Sequence, residues 1–557
     1  MNVQVLMALL RRTPLQAVLI TVAAAAYLGH LQFLTPYITE TDGYYHMKMA
    51  YLVRTTGVLR EFPWASFSMW SEQFYDKDFG YHLLLSLFAG GDLVLGAKVG
   101  AVVFGTVFFV SFFLVQRLSG IRHAWVWTLL LLVGSGSYFG WRVDLTRPHV
   151  WSMTLALWAM FCVLQQATRS LFGVSAVWAL SYTAPHVAIG YAGLSALVQR
   201  LLKRRWRWRL LFASILGVAA GWLLHPNFPA NFVAFKIQII DVLASAWRLS
   251  GPNLHLGSEL APAPVGSFIL EDLLPLLAIV VAAWSGWRLR PRLDVKIVTL
   301  GVTTLGFFVL TCASKRFVEY WMPLSLWTCA WFLEDLPARW PELLPRAWNR
   351  RPWRQICVVG LAVVVICLCG RSYWVHRGNY ADPKASGEEG AALWLRDHTP
   401  ANSQVFTCDW DDAPELFFYN HHNRYLVFLD PSYLYRWRSD LWALWDNTAN
   451  GRVKESPVDI IRQTFGARYG FCTPEFTTLR SRLKRDPRVT FPSTDGGGYV
   501  FEIADGPTPQ ETAPVAPRTI TSTPGKAPYR FFDRRAMKRL GPRPGIRGPE
   551  RGNVPLP

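Results

Sequence analysis

Four short segments of the 557-residue chain set acids beside bases. "TETDGYYHMKMAYLVR" carries Asp42, followed by Tyr44, Tyr45 and His46. "GWRVDLTRPHVW" carries Asp144, Arg147 and His149. "NLHLGSELAPAP" holds Glu259, and "SKRFVEYW" holds Lys315, Arg316 and Glu319. Grouped carboxylates suit a hard divalent cation, which takes oxygen ligands. Cations beside them suit a phosphate leaving group. An acid next to an acceptor can take or orient its proton. Taken singly, such an Asp ordinarily caps a helix or faces water, and an Arg at a helix end snorkels. What lifts the set above that reading is its recurrence at one depth and on one side of the chain's apolar segments.

Those segments dominate the composition. The chain is 51% hydrophobic and 17% charged, well below the quarter or so usual in soluble domains, with 26 Trp and 34 Phe. Apolar runs occur around 14–35, 93–115, 124–141, 150–166, 171–186, 187–199, 210–225, 273–287, 297–313, 321–334 and 356–374. A spanning helix needs about 20 residues, so several runs must borrow flanking positions. The pattern predicts a polytopic α-helical membrane protein of about 11 spans. The first run follows Arg11 and Arg12 without a small-residue cleavage site and reads as a retained span. With the N-terminus inside, the short inside loops hold "KRRWRWR", Arg288–Lys296 and Arg339–Arg354, and carry roughly twice the Lys and Arg of the outside loops. The net charge of +19 is thereby assigned to topology. No basic-aromatic groove or known motif accompanies it, so no nucleic-acid partner is expected.

The three parts expected are a membrane domain over 1–374, an external α/β domain over 375–505 and a disordered tail over 506–557. In the second, "GEEGAALWLRDH" has helical periodicity, while "SQVFTC", "RYLVFLD" and "GGGYVFEIA" read as buried strands. The tail is Pro-rich, with ten Lys and Arg against three Asp and Glu, and cannot bury a core. Six of the eight cysteines lie in the apolar runs. Cys408 and Cys472 fall in the external domain, where a disulfide and two free thiols are both open.

The chain resembles the GT-C membrane glycosyltransferases, and among them the catalytic subunit of oligosaccharyltransferase. "DGYYHMKMAYLVR" resembles that family's first acidic motif, "GSELAP" its later Glu-containing loop and "KRFVEYWMPL" its Arg-containing turn. "AALWLRDHTPANSQVFTCDWDDAPELFFYNHHNRYLVFLD" is similar to the start of its external domain. The resemblance implies catalytic roles for Asp42 and Glu259, and donor-phosphate contacts from Arg316, Lys315 and Arg147. It implies acceptor contacts from Trp410, Asp411, Tyr44 and His46. A divalent metal, Mg or Mn, would be held by Asp42, Asp144, Glu259 and His149, the last standing in for a carboxylate missing after Asp144. The implied partners are a polyprenyl-phosphate-linked sugar donor, membrane lipid and a protein or glycan acceptor, in a bacterial-type inner membrane with the external domain outside. Where the family's acceptor-reading motif has Trp-Trp-Asp-Tyr-Gly, this chain has "CDWDDA". That favours an acceptor other than an asparagine sequon, with oligosaccharyltransferase proper as the alternative. A transporter or flippase would place ionisable residues near the midplane and show repeats, and neither is evident. A simple membrane anchor leaves Asp42, Asp144 and Glu259 unexplained.

Overall fold

Each of the eleven apolar runs folds as helix, one of them as two. The computed structural model describes residues 3–242, 244, 254, 257–288, 294–334, 351–381, 387–495 and 497–504. The tail expected to be disordered lies outside these residues, as does most of the Arg339–Arg354 loop. In chain order the helices are α1 (Val3–Gln32), α2 (Thr41–Thr56), α3 (Phe79–Leu85), α4 (Leu93–Leu118), α5 (Ala124–Gly134) and α6 (Ser137–Val143). They continue as α7 (Pro148–Gln165), α8 (Thr168–Ser181), α9 (His186–Lys203) and α10 (Arg209–Leu224). Helices Leu273–Arg288, Val295–Ala313, Val318–Glu334 and Arg351–Ala381 follow. Among the described residues, Thr13–Gln32, Leu93–Leu118 and Val295–Ala313 are long and apolar enough to cross a membrane.

Two features depart from the sequence reading. The run at 124–141 breaks at Ser135–Gly136, where Ser135 is extended (φ −80°, ψ 119°), giving α5 and the short α6. The helix starting at Arg351 runs on past residue 374 to Ala381.

Close packing follows small residues. Gly217 and Gly221 on α10 face α8 so tightly that an added Cβ would overlap the carbonyl oxygens of Phe172 and Ala176 respectively. Such spacing of small residues lets helices approach where lipid supplies no hydrophobic drive. The end of α1 is tied by polar bonds. Buried Lys98 of α4 donates to the Gln32 carbonyl at 2.8 Å and to that of Thr35, carbonyls a helix end leaves unpaired.

Strands β1 (Gln404–Thr407), β2 (Arg424–Tyr425), β3 (Tyr469–Cys472), β4 (Val489–Asp495) and β5 (Gly498–Ile503) form one sheet in the order β2-β1-β3-β5-β4. β1 runs parallel to β2 and β3, pairing Val405 with Tyr425 and Tyr469. β5 is antiparallel to β3 and β4. "GEEGAALWLRDH" is the helix Gly387–His398 as expected. "RYLVFLD" is strand only in its first two residues. The chain then turns through Leu429 (φ +61°) to Asp430, whose carboxylate caps the helix Pro431–Trp437 by accepting from the Ser432 amide. Cys408 and Cys472 are joined as a disulfide, tying the ends of β1 and β3.

One hydrophobic core fills the helical part. A second joins α2 and the segment after it (Tyr45, Phe62, Trp70, Tyr75) to Leu395, Val405, Leu416, Phe417 and Phe428 of the sheet domain. α2 is buried continuously from Gly43 to Ala50, so it lies between the two parts rather than on their surface. That placement packs the first acidic segment against the sheet domain.

Candidate active site

Where α2 meets the sheet domain, a cavity of about 490 Å³ opens. Asp42 stands in the first turn of α2, with Glu40 just before it. Arg147 is the residue preceding α7, where Pro148 starts the helix with φ already set. Glu259 lies in the single helical turn Ser258–Leu260. Lys315 and Arg316 form the turn between helices Val295–Ala313 and Val318–Glu334. Trp410 and Asp411 arrive from above, on the loop that follows disulfide-bonded Cys408.

An ion-pair network connects these groups. Arg147 pairs with Asp42, and its Nη1 lies 3.4 Å from both Glu40 Oε1 and Glu259 Oε2. Arg142, fully buried, donates from Nη1 to Glu259 at 2.6 Å and from Nε to Glu319 at 2.7 Å. Arg316 reaches Glu259 at 3.0 Å and donates to the Tyr182 hydroxyl at 2.6 Å. With 34% of its side chain exposed, Arg316 is the most open of the three guanidiniums and so the one best able to meet an incoming anion. Lys315 lies 5.0 Å from the ring centre of Tyr138. From the roof, Asp411 Oδ1 accepts from the Thr41 hydroxyl at 2.8 Å. Burial raises the Asp411 carboxyl above its ordinary range, against the Thr41 bond and the charge of Arg147. Burial also takes Glu40 up to about 7, with Arg147 opposing. Glu415 is pushed to about 10 by burial and then by Glu388.

Most residues singled out from sequence therefore line one cavity: Asp42, Tyr44, His46, Arg147, Glu259, Lys315, Arg316, Trp410 and Asp411. Tyr44 also packs edge-on against Phe418, 5.1 Å between ring centres. Two residues are elsewhere. Asp144 is buried behind α6; its carboxylate accepts from Tyr380 at 2.6 Å, and its carbonyl from Gln32. His149 turns Nε2 to the Arg142 carbonyl at 2.7 Å, 4.0 Å from Glu319.

The expected metal set is consequently not assembled. Of Asp42, Asp144, Glu259 and His149, only Asp42 and Glu259 face the cavity, and the Arg147 guanidinium lies between them. That guanidinium engages the carboxylate oxygens an ion would need, and its charge opposes a second cation there. These residues as arranged do not fit Mg or Mn. Among the described residues, the group with metal-ligand spacing is His46, Asp78 and His82, whose ligand atoms lie within 4.8 Å of one another. There His46 Nδ1 is hydrogen-bonded to His82 Nε2 at 2.8 Å, and His82 Nδ1 to Asp76 at 2.7 Å.

The sequence pattern does not single out Arg142, Glu40 or Tyr182. Arg142 is two residues before Asp144 and Glu40 two before Asp42, inside segments already singled out. The break between α5 and α6, which gives Arg142 its place, has only Ser135–Gly136 to announce it.

No protein-family model matches the chain, and no curated protein does. Solved structures do. One is the archaeal oligosaccharyltransferase AglB from Archaeoglobus fulgidus in complex with an inhibitory peptide and a dolichol-phosphate, at TM-score 0.59 and 13% identity. That match covers 90% of this chain and 75% of the other. Another is ArnT from Cupriavidus metallidurans bound to undecaprenyl phosphate, at TM-score 0.52 and 15% identity, covering 87% and 97%. A second Archaeoglobus fulgidus oligosaccharyltransferase structure, tethered to an acceptor peptide containing an NVT sequon, matches at TM-score 0.57 and 11% identity, covering 88% and 74%. At these identities the likeness is one of architecture. The chain shares the overall fold of these solved structures.

Proposed function

We propose that the protein is an integral-membrane, inverting glycosyltransferase. It moves a sugar from a polyprenyl-phosphate or -pyrophosphate carrier to an acceptor on the outer face of a bacterial-type cell membrane, with its N-terminus cytoplasmic. The observation that carries this is the sharing of one cavity by Asp42, Arg316, Lys315 and the Trp410–Asp411 loop. On this reading the Asp42 carboxylate takes the proton of the acceptor. The acceptor atom then bonds to the anomeric carbon on the face opposite the phosphate. The bond from that carbon to the phosphate oxygen breaks, and its electron pair stays on the phosphate. Arg316 and Lys315 stabilise the charge that develops there. Arg147, itself paired with Glu40, holds Asp42 in place.

A glycan is the acceptor class we favour. Trp410 and Asp411 also line a neighbouring cavity of about 440 Å³ with Trp442, Trp445, Asp446 and Asn450. Flat aromatic faces beside carboxylate and amide groups suit sugar rings and their hydroxyls. The "CDWDDA" segment likewise lacks the Tyr-Gly of the sequon-reading pattern. Asparagine-sequon transfer is the alternative. The test uses purified protein, a labelled polyprenyl-phosphate sugar and two acceptors, an oligosaccharide and an Asn-x-Thr peptide. Label should pass to the oligosaccharide, and Trp410→Ala should impair that transfer while donor binding holds. Transfer to the peptide alone would replace this reading by the sequon one.

A further inference from the structure

Three carboxylates turn toward one point in the catalytic cavity, and a guanidinium occupies it. Arg147 pairs with Asp42 and lies 3.4 Å from Glu40 and from Glu259. Its side chain is only 16% exposed, so it is not a solvated surface group that swings in by chance. Those three carboxylates keep it there. Arg142 and Arg316 hold Glu259 from two other directions, and Asp411 above is engaged by Thr41. The second acidic segment, which would complete a metal site, has turned its Asp144 carboxylate to Tyr380 instead.

We propose that Arg147 is a resident cation standing in for a divalent ion: it neutralises and orients Asp42 and Glu259, and by its place it keeps Mg²⁺ and Mn²⁺ out of the cavity. A guanidinium suits this task. It is permanently charged, and its planar fork can address several carboxylate oxygens at once. A metal ion does so only with further oxygen ligands and water around it. The consequence for chemistry rests on the transfer reading above. The consequence for ion binding does not, and it is the one tested.

The experiment measures Mn²⁺ binding to the full chain in detergent, by the loss of the free-ion electron paramagnetic resonance signal. The wild type should show no Mn²⁺ binding that depends on Asp42. Arg147→Ala leaves Glu40, Asp42 and Glu259 facing one another, and should bind Mn²⁺ at least about tenfold more tightly than wild type. Adding Asp42→Asn to that variant should abolish the gain. Arg147→Lys keeps a cation and should keep Mn²⁺ out. Comparing Asp42→Asn with its parent separates this cavity from the His46, Asp78 and His82 group. Wild-type binding that Asp42→Asn removes would overturn the proposal, as would a folded Arg147→Ala with no gain in affinity. If Arg147→Ala does not fold, wild type, Asp42→Asn and Arg147→Lys still decide. A protein that transfers no sugar would defeat the functional reading and leave these binding results standing.

Discussion

Arg142→Met is the substitution whose cost the structure specifies best. The guanidinium is fully buried and gives Nε to Glu319 at 2.7 Å and Nη1 to Glu259 at 2.6 Å. Its two partners are not equally dependent on it. Glu259 keeps Arg316 at 3.0 Å and Arg147 at 3.4 Å. Glu319, 2% exposed, keeps His149 at 4.0 Å. Removing one member of a buried pair costs about 3–5 kcal/mol, because it leaves an uncompensated charge away from water. Most of that penalty should fall on Glu319. Glu319→Gln in the Arg142→Met background should therefore recover at least about 2 kcal/mol, a strongly non-additive cycle. Unfolding of the four proteins by a denaturing detergent, followed by Trp fluorescence, gives the numbers. An additive cycle, or an Arg142→Met within about 1 kcal/mol of wild type, would mean that Glu319 does not depend on Arg142.

Three further outcomes follow from the geometry. Replacing Cys408 and Cys472 by Ser opens a link across 64 positions, worth about 4 kcal/mol in the loop-closure picture, and should loosen the Trp410–Asp411 loop, read as lower stability and faster hydrogen exchange there. Glu40 keeps its proton to about 7 when folded but to 4.5 when unfolded. Its contribution is thus fully present below 4.5 and is lost as pH rises through about 7, a fall of at most about 3 kcal/mol that Glu40→Gln should remove from the stability–pH profile. Arg316→Lys should weaken binding of polyprenyl phosphate more than it lowers protein yield, since Lys cannot keep both the Glu259 contact and the Tyr182 bond of a forked guanidinium; equal binding would make Arg316 an interfacial anchor.

What the sequence discloses and what it hides differ by physical cause. Apolar runs declare helices because burial in lipid or core acts on every residue of the run. The helix Gly387–His398 is likewise legible from periodicity and its first-turn acids Glu388 and Glu389. β3 is four residues of "YGFC" and β4 contains a proline, too short and too irregular for a period of two to emerge. "RYLVFLD" misleads because its apolar residues are buried by core contacts outside the ladder. At the site, Asp42, Glu259, Arg316 and Trp410 are visible because their segments lie on one side of the helices. Whether Asp144 or Arg142 turns inward depends on the break at Ser135–Gly136 and on Tyr380, more than two hundred positions away. No local pattern carries that information. The place of Arg147 between Asp42 and Glu259 is a property of the assembled fold alone.

On the proposed function, Asp42 and its cavity carry sugar transfer from a lipid-linked phosphate. The direct measurement is release of labelled sugar from a polyprenyl-phosphate donor to acceptor by the purified chain, beside Asp42→Asn at equal folded concentration. Loss of a positioned base removes on the order of a hundredfold or more in rate. The wild type should transfer sugar, and Asp42→Asn should show a loss of that size with donor binding retained. Transfer by Asp42→Asn within a few-fold of wild type would contradict it.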